Sequence, residues 1–229
     1  MATDEKNGFP PGRLVVVGGH TRSIGKTQLV CDLITALPQA NWIAGKITQY
    51  GHGVCAQNGQ DCECAPDEHV CAIDWETSRD SGKDSSRFLA AGARRSFWLR
   101  TKQGYLAECL PLLRSAIREA SLADSAIPSN LIIETNSLLQ FLKPSLYLAV
   151  LDPSVPDFKE SARLVLDRAD AYVFRRGLDD SPPATPPWAA MPERFLREKP
   201  SFLQREGEPL PDALFQLVKR LIESPVQTS

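Results

Sequence analysis

The sequence predicts an α/β fold in which a mostly parallel sheet carries helices on both of its faces. Short apolar runs, rich in β-branched residues, alternate along the chain with helical segments that carry an apolar stripe. The first apolar run passes directly into a glycine-containing loop and then into a helix, which is the order of a strand–loop–helix unit. With 229 residues, the chain is long enough for one sizeable core with a small appendage.

The first elements surround this loop. A buried strand over 13–19 leads into the loop, and a helix over 26–36 follows it and is closed by Pro38. A second strand spans 42–48. Residues 50–84 are rich in Gly, Asp, Cys and His and poor in apolar residues, so we expect an irregular, cysteine-rich insertion.

The rest of the predicted domain, which spans 13–180 in all, continues the alternation. Its elements are a helix over 85–95, a short strand over 96–100, a helix over 104–120, strands over 130–135 and 146–152, a helical stretch over 157–169 and a strand over 171–175. The proline-rich segment 181–208 predicts an extended strap, and 209–229 include a helix with an apolar stripe that we expect to pack on the core. The polar residues 1–12 predict a disordered N-terminus.

The loop after the first strand has the residue types of a phosphate-binding loop. Gly19 is followed by five residues and then by Gly25, Lys26 and Thr27, whereas the common pattern GxxxxGK[ST] places a glycine at His20. Backbone N–H groups and the helix N-terminus can surround a phosphate, the lysine can reach the β- and γ-phosphates, and the threonine hydroxyl can ligate Mg²⁺. A glycine-rich turn without a ligand is the alternative. The predicted nucleotide-binding residues are Gly19, His20, Thr21, Arg22, Ser23, Ile24, Gly25, Lys26, Thr27 and Gln28.

Charged residues at other strand ends could complete such a site. Glu134 ends an apolar strand, where P-loop proteins place the carboxylate that holds Mg²⁺, and Asp152 is the alternative. Lys46 ends the second strand, so it could stabilise charge during phosphoryl transfer, or it could simply extend into solvent. Arg22 is a second candidate for that role. We predict Lys26 and Lys46 as catalytic, and Thr27 and Glu134 as the Mg²⁺ residues.

Four cysteines are clustered in the insertion. Cys55, Cys62, Cys64 and Cys71 fall within 17 residues, and four thiolates can hold a tetrahedral Zn²⁺ or an iron–sulfur cluster. Reduced or regulatory thiols are the third interpretation. Cys31 and Cys109 lie on predicted helices, where we expect small core residues.

The charge balance excludes no partner but supports few. The chain has 26 basic and 28 acidic side chains, so there is no global field to attract nucleic acid, and we expect no nucleic-acid partner. No apolar run is long enough to cross a bilayer, and the first residues lack the order of a signal peptide. We therefore expect a cytoplasmic protein without a membrane partner. The oligomeric state is open, with a homodimer among the alternatives.

Several motifs together resemble the molybdopterin-guanine dinucleotide biosynthesis adaptor protein B family of P-loop proteins. They are the GKT loop, Lys46 at the end of its strand, the segment from Lys83-Asp84-Ser85 to Ala91-Gly92-Ala93, and the apolar strand that ends in Glu134. The resemblance covers about residues 13–152. It implies a P-loop nucleoside triphosphatase that binds GTP with Mg²⁺, with Asp84 close to the nucleotide or a partner, and an adaptor role toward a protein partner in a cofactor pathway.

The base and the use of the nucleotide are left open by the sequence. The strand over 171–175 runs into Arg176-Gly177-Leu178-Asp179 and not into a guanine-reading NKxD motif, so GTP and ATP are both candidates. The main hypothesis is slow hydrolysis of the triphosphate by an adaptor-type protein. One alternative is an ATP-dependent small-molecule ligase that resembles dethiobiotin synthetase, and another is a module in which nucleotide gates a metal held by the cysteines.

Overall fold

The computed structural model describes residue 9 and residues 12–50, 70–122, 128–175 and 198–224. Eight strands form one sheet in the order β3-β4-β2-β5-β1-β6-β7-β8. The strands are β1 (Leu14–Gly19), β2 (Trp42–Tyr50), β3 (Cys71–Trp75), β4 (Arg95–Lys102), β5 (Asn130–Glu134), β6 (Leu146–Leu151), β7 (Ala171–Phe174) and β8 (Ser201–Leu203). All neighbours pair in parallel except β3, which is antiparallel to β4.

Helices cover both faces of the sheet, which confirms the predicted fold class. The described helices are α1 (Lys26–Ala36), α2 (Asp84–Ala90), α3 (Leu106–Leu122), α4 (Glu160–Arg163) and α5 (Asp212–Glu223), with 3₁₀ turns over Pro38–Ala40, Ser137–Gln140 and Leu166–Arg168. Within the described ranges, no helix combines the length and the apolar character that a membrane crossing requires.

The alternation of side chains along β1 divides the core into two layers. Val15 and Val17 pack in the layer formed with α1, α2 and α5, whereas Leu14 and Val16 pack in the layer formed with α3. Because successive side chains of a strand point to opposite faces, a strand with helices on both sides must be apolar throughout. This explains the uninterrupted Leu-Val-Val-Val run of β1, where all six residues are buried.

The strand register gathers polar residues at one edge of the sheet. Val17 of β1 lies beside Glu134 of β5, and Glu134 lies beside Lys46 of β2. On the other side of β1, Gly19 is in register with Val150 of β6. The carboxyl ends of these parallel strands therefore meet around the loop that follows β1.

Two strands were missed from the sequence, and both lie at the edges of the sheet. β3 forms inside the segment that was expected to be irregular, and its side chains Cys71, Ile73 and Trp75 alternate onto the core. β8 forms inside the proline-rich segment as a strand of three residues beside β7. Each of these strands forms by pairing with a strand that lies many residues away in the sequence, β4 for β3 and β7 for β8. Local sequence patterns do not report such pairing.

Two predicted helices are shorter in the structure. The helix expected over 85–95 is α2, which ends at Ala90, and the chain then turns at Gly92 with φ +108° into β4, which begins at Arg95. The stretch expected to be helical over 157–169 contains only the four residues of α4 and a 3₁₀ turn.

A disulfide joins the edge strand β3 to helix α3. It links Cys71 to Cys109, which are 38 residues apart. Cys109 is fully buried on α3, as predicted for a small core residue, but its disulfide was not predicted. Cys31 on α1 is free and buried, as predicted for a small core residue, and burial raises the pKa of its thiol to about 11.

Candidate functional site

The loop between β1 and α1 has the backbone of an anion-binding turn. Ser23 and Gly25 both adopt the left-handed conformation, with φ of 55° and 84°. Alternation of this conformation with right-handed residues turns successive N–H groups toward one side, and the N-terminus of α1 adds its own unpaired N–H groups. A Cβ at Gly25 would lie 2.6 Å from Nε of Arg175, so only glycine fits both the dihedral angle and the space.

Asn136 holds the loop on its β5 side. Its Oδ1 accepts a hydrogen bond from the Gly19 N–H at 2.9 Å, and its Nδ2 donates to the Gly19 carbonyl at 2.8 Å. Gly18 makes this contact possible, because a Cβ there would lie 2.3 Å from Asn136 Oδ1. The sequence signal was the polar Thr135-Asn136-Ser137 loop after β5, but the role of Asn136 was missed.

His20 holds the loop on its β6 side. The imidazole is fully buried; Nδ1 lies 2.7 Å from the Asp157 carbonyl, and Nε2 accepts from the Asp152 N–H at 3.1 Å. This pair of contacts assigns the proton to Nδ1 of a neutral ring. Thr21 adds a short hydrogen bond to the Asp157 carboxylate. The histidine that replaces the usual glycine is thus a structural link to the segment after β6.

The predicted phosphate and Mg²⁺ residues converge at the start of α1. Thr27 Oγ1 donates to Glu134 Oε2 at 2.6 Å, and Lys46 Nζ lies 3.3 Å from the other carboxylate oxygen of Glu134. Lys46 also forms a short ion pair with Asp84 at the start of α2. Lys26 Nζ donates to the Thr21 carbonyl across the loop. Lys46, the Thr27 hydroxyl and two carboxylates are therefore in contact through one network, and Lys26 lies beside it.

The charges in this network shift the pKa values of both lysines. Burial lowers the pKa of Lys26; Glu134 opposes this, while the neighbouring Lys46 adds to it. Burial also acts to lower the pKa of Lys46, but Glu134 and Asp84 outweigh it, so the pKa of Lys46 lies above its usual value. Lys46 is thus fixed as a cation.

The structure places only one of the two candidate carboxylates in contact with Thr27. Glu134 is nearly buried and touches Thr27, whereas Asp152 Oδ1 accepts hydrogen bonds from the Ser154 backbone N–H and hydroxyl in the loop after β6. Arg22 is exposed at the tip of the loop, and Gln28 bonds to Asp32 and Arg87 on the outer side of α1. Glu134 is therefore the carboxylate that the fold brings to the loop.

Most of the predicted cysteine cluster lies outside the described residues. Cys55, Cys62 and Cys64 are in that part of the chain, and the thiol of Cys71 is committed to the disulfide with Cys109. Among the described residues, no group of three or more His, Cys, Asp or Glu side chains could hold a metal ion. A four-cysteine metal site stays a prediction, and it requires reduction of this disulfide.

One described cavity lies at the opposite edge of the sheet. It has a volume of about 460 Å³ and is lined by Lys143, Arg168 and Lys199 among others, at the amino ends of β7 and β8. Arg168 and Lys199 already donate to backbone carbonyls. It is therefore separate from the site around Lys26.

Comparisons with known proteins identify the fold. No protein-family model matches the chain, and the comparison with curated proteins gave no match. A solved structure of HypB from Helicobacter pylori in complex with nickel is similar over 99% of this chain and 93% of that chain, with a TM-score of 0.50 and 15% identity. LpxK from Aquifex aeolicus in complex with ATP matches over 84% of this chain with a TM-score of 0.45 and 16% identity. This chain spans about half of that protein, 54% of its length. The chain therefore shares the α/β fold of that HypB structure.

Proposed function

We propose that this protein binds a nucleoside triphosphate with Mg²⁺ and hydrolyses it slowly. The observation that carries the proposal is the contact of 2.6 Å between Thr27 Oγ1 and Glu134 Oε2 at the N-terminus of α1. A hydroxyl and a carboxylate at this separation are oxygen ligands suited to a hard divalent cation, whose other ligands would be phosphate oxygens and water. The donor set therefore fits Mg²⁺.

Each residue of the network has a distinct task in this proposal. The left-handed residues Ser23 and Gly25 aim backbone N–H groups at the β-phosphate, and Lys26 exchanges its contact with the Thr21 carbonyl for the phosphates. Lys46, held as a cation by two carboxylates, stabilises the charge that develops on the transferred phosphoryl group. When bound, Mg²⁺ supplies further neutralisation of phosphate charge.

The finer proposal is an adaptor that uses GTP or ATP in cofactor biosynthesis, as members of the resembled family do with GTP. It rests on the GKT loop, Lys46, Asp84 and Glu134, the motifs that carry the resemblance. The similar HypB structure is a complex with nickel, and this similarity does not select a base. A protein partner, a homodimer and a cytoplasmic location belong to this proposal.

Hydrolysis measured with and without Mg²⁺ tests the proposal. We expect the wild-type protein to release phosphate from GTP or ATP, and EDTA to stop the release. Glu134→Gln should lower the rate by roughly a hundredfold, because the charge that orients Mg²⁺ is lost. Glu119→Gln, on the exposed side of α3, is the matched control and should keep the wild-type rate. If neither nucleotide binds or is hydrolysed, the proposal is wrong.

A second function is supported by the position of Asp84. Its side chain is 31% exposed beside Lys46, so a carboxylate faces solvent close to the place that the proposal gives to the terminal phosphate. A carboxylate there could accept a proton from, or orient, a small acceptor molecule in an ATP-dependent ligase or synthetase. Turnover that rises far above basal hydrolysis when metabolite extracts are added would favour this function, and turnover indifferent to them would exclude it.

A further inference from the structure

Lys159 lies against the phosphate-binding loop from the side opposite Lys46. It ends the segment that follows β6 and precedes α4, and its backbone N–H donates to the His20 carbonyl at 2.9 Å. The contacts of His20 and Thr21 with Asp157 hold the same segment in place. The backbone of Lys159 is therefore fixed beside the loop.

Among the residues that the structure describes, none pairs with the ammonium group of Lys159. Its side chain is partly buried, and within the described ranges no hydrogen bond or ion pair engages its Nζ. The neighbouring acidic group, Asp157, already accepts a hydrogen bond from Thr21. Lys46, in contrast, has two carboxylate partners. A partly buried cation without a counter-ion is destabilised until an anion neutralises it.

Neighbouring cations explain why this site would attract an anion. Burial, then Arg22 and Lys26, and more weakly Lys46, lower the pKa of Lys159 to about 8, and Asp157 opposes them only in part. The nearby imidazole of His20 is neutral in its observed contacts. Three cationic side chains, from the loop, α1 and β2, therefore act electrostatically on Lys159.

In the proposed function, a bound triphosphate would have its terminal phosphate next to this group. Gly25 and the start of α1 define the β-phosphate position, and Thr27 with Glu134 defines the side on which Mg²⁺ would bridge to the γ-phosphate. We propose that Lys159 is a further phosphate-binding residue, an inference that rests on the proposed function. It contacts the terminal phosphate opposite Lys46 and so favours binding of triphosphate over diphosphate.

Binding of paired nucleotides tests this role. A non-hydrolysable triphosphate analogue and the corresponding diphosphate are titrated with Mg²⁺ into wild-type protein, Lys159→Met, Lys159→Arg and, as a control, Lys219→Met on α5. We expect Lys159→Met to weaken triphosphate binding by about tenfold and diphosphate binding little, because one charge-assisted hydrogen bond is lost only with the terminal phosphate. The arginine variant and Lys219→Met should bind like wild type.

The pH dependence separates Lys159 from its neighbours. Between pH about 7 and about 9, wild-type triphosphate affinity should fall by up to about tenfold, since Lys159, with a pKa of about 8, must regain its proton to bind. Lys159→Arg stays charged, so its affinity should lack this decline, and the difference between the two proteins isolates Lys159 from Lys26 and Lys46.

Two outcomes would overturn the inference alone. One is equal triphosphate affinity of wild type and Lys159→Met, and the other is an equal loss for triphosphate and diphosphate. Absence of any nucleotide binding by the wild-type protein would overturn the proposed function as well, so the two failures are distinguishable.

Discussion

The two flanks of the loop between β1 and α1 are built from different interactions. On the β5 and β2 side, cations and carboxylates alternate, with Lys46 between Glu134 and Asp84 and with Thr27 bonded to Glu134. On the β6 side, the loop is held by the two hydrogen bonds of a neutral imidazole, and no ion pair engages the adjacent Lys159 within the described ranges. One flank is charge-compensated before a ligand arrives, and the other is not.

This difference indicates a division of labour. A compensated network keeps its geometry without a ligand, because each buried charge already has a partner. The uncompensated flank gains more from an incoming anion, since its cations are neutralised only then. The β5 side thus keeps its arrangement of charges without a ligand, and the β6 side supplies net positive charge and holds the loop in place.

The largest expected effect on stability comes from breaking the compensated flank. Lys46→Met removes the ion-pair partner of the buried Glu134 carboxylate, and we expect the free energy of unfolding to fall by roughly 2–3 kcal/mol. Urea denaturation of wild type and variant gives this value.

A double variant checks the cause of that loss. Lys46→Met combined with Glu134→Gln removes both charges, so it should recover at least half of the lost free energy. If the double variant is less stable than the single one, charge compensation is not what holds this flank.

Asn136 tests the neutral anchor on the same flank. Asn136→Ala leaves the N–H and the carbonyl of Gly19 without their partners, at a cost of about 2 kcal/mol in unfolding free energy. Asn136→Asp retains the acceptor oxygen and should lose less. Thermal or urea unfolding of the three proteins measures the effect, and wild-type stability of Asn136→Ala would refute the anchoring role.

His20 makes the stability of the β6 flank depend on pH. Burial, opposed in part by the Asp157 carbonyl, lowers the pKa of His20 from 6.5, so the unfolded state binds more protons below about pH 6.5. The contribution of His20 to the free energy of unfolding is fully present above that pH. The free energy of unfolding should fall as pH decreases through it, by up to about 1.4 kcal/mol for each pH unit. Unfolding curves of wild type and His20→Gln between pH about 7.5 and about 5.5 give the difference. An identical slope in both proteins would exclude His20 as the cause.

The smallest effect is expected at the outer rim of the charged flank. Arg87 lies 3.8 Å from Asp84, and its side chain is 47% exposed. Arg87→Ala should therefore change the unfolding free energy by less than about 0.5 kcal/mol. A loss of unfolding free energy as large as that of Lys46→Met would show that the compensated network extends beyond Lys46 to Arg87.

The sequence predicted the centre of the fold better than its edges. β1, β2, β5, β6 and β7 are buried on both faces, so their apolar runs are long and end abruptly in polar residues. The edge strands β3 and β8 are half-exposed, and their hydrogen bonds depend on pairing with a neighbouring strand. The glycine of the turn after α2 does not show that the helix ends as early as Ala90. Local periodicity is weakest where pairing decides the structure.

The candidate site divides in the same way. Parallel strands have their carboxyl ends at one edge of the sheet, so the topology brings together residues at strand ends and at the start of the following helix. These residues are Lys26, Thr27, Lys46 and Glu134. Asn136, His20 as a structural link, and Lys159 depend on how loops pack against each other, which no spacing in the sequence encodes. The disulfide partner of Cys71 could not be chosen from spacing either.

Isothermal titration calorimetry of wild type and Lys26→Ala with GTP or ATP, in the presence of Mg²⁺, tests most directly whether this protein binds a nucleotide through the loop after β1. Lys26 spans the loop to the Thr21 carbonyl and is the cation nearest to the β- and γ-phosphates in this account. We predict that the wild-type protein binds at least one of the two nucleotides and that Lys26→Ala weakens this binding by more than about tenfold. Equal affinity of both proteins, or no binding by either, would contradict the account.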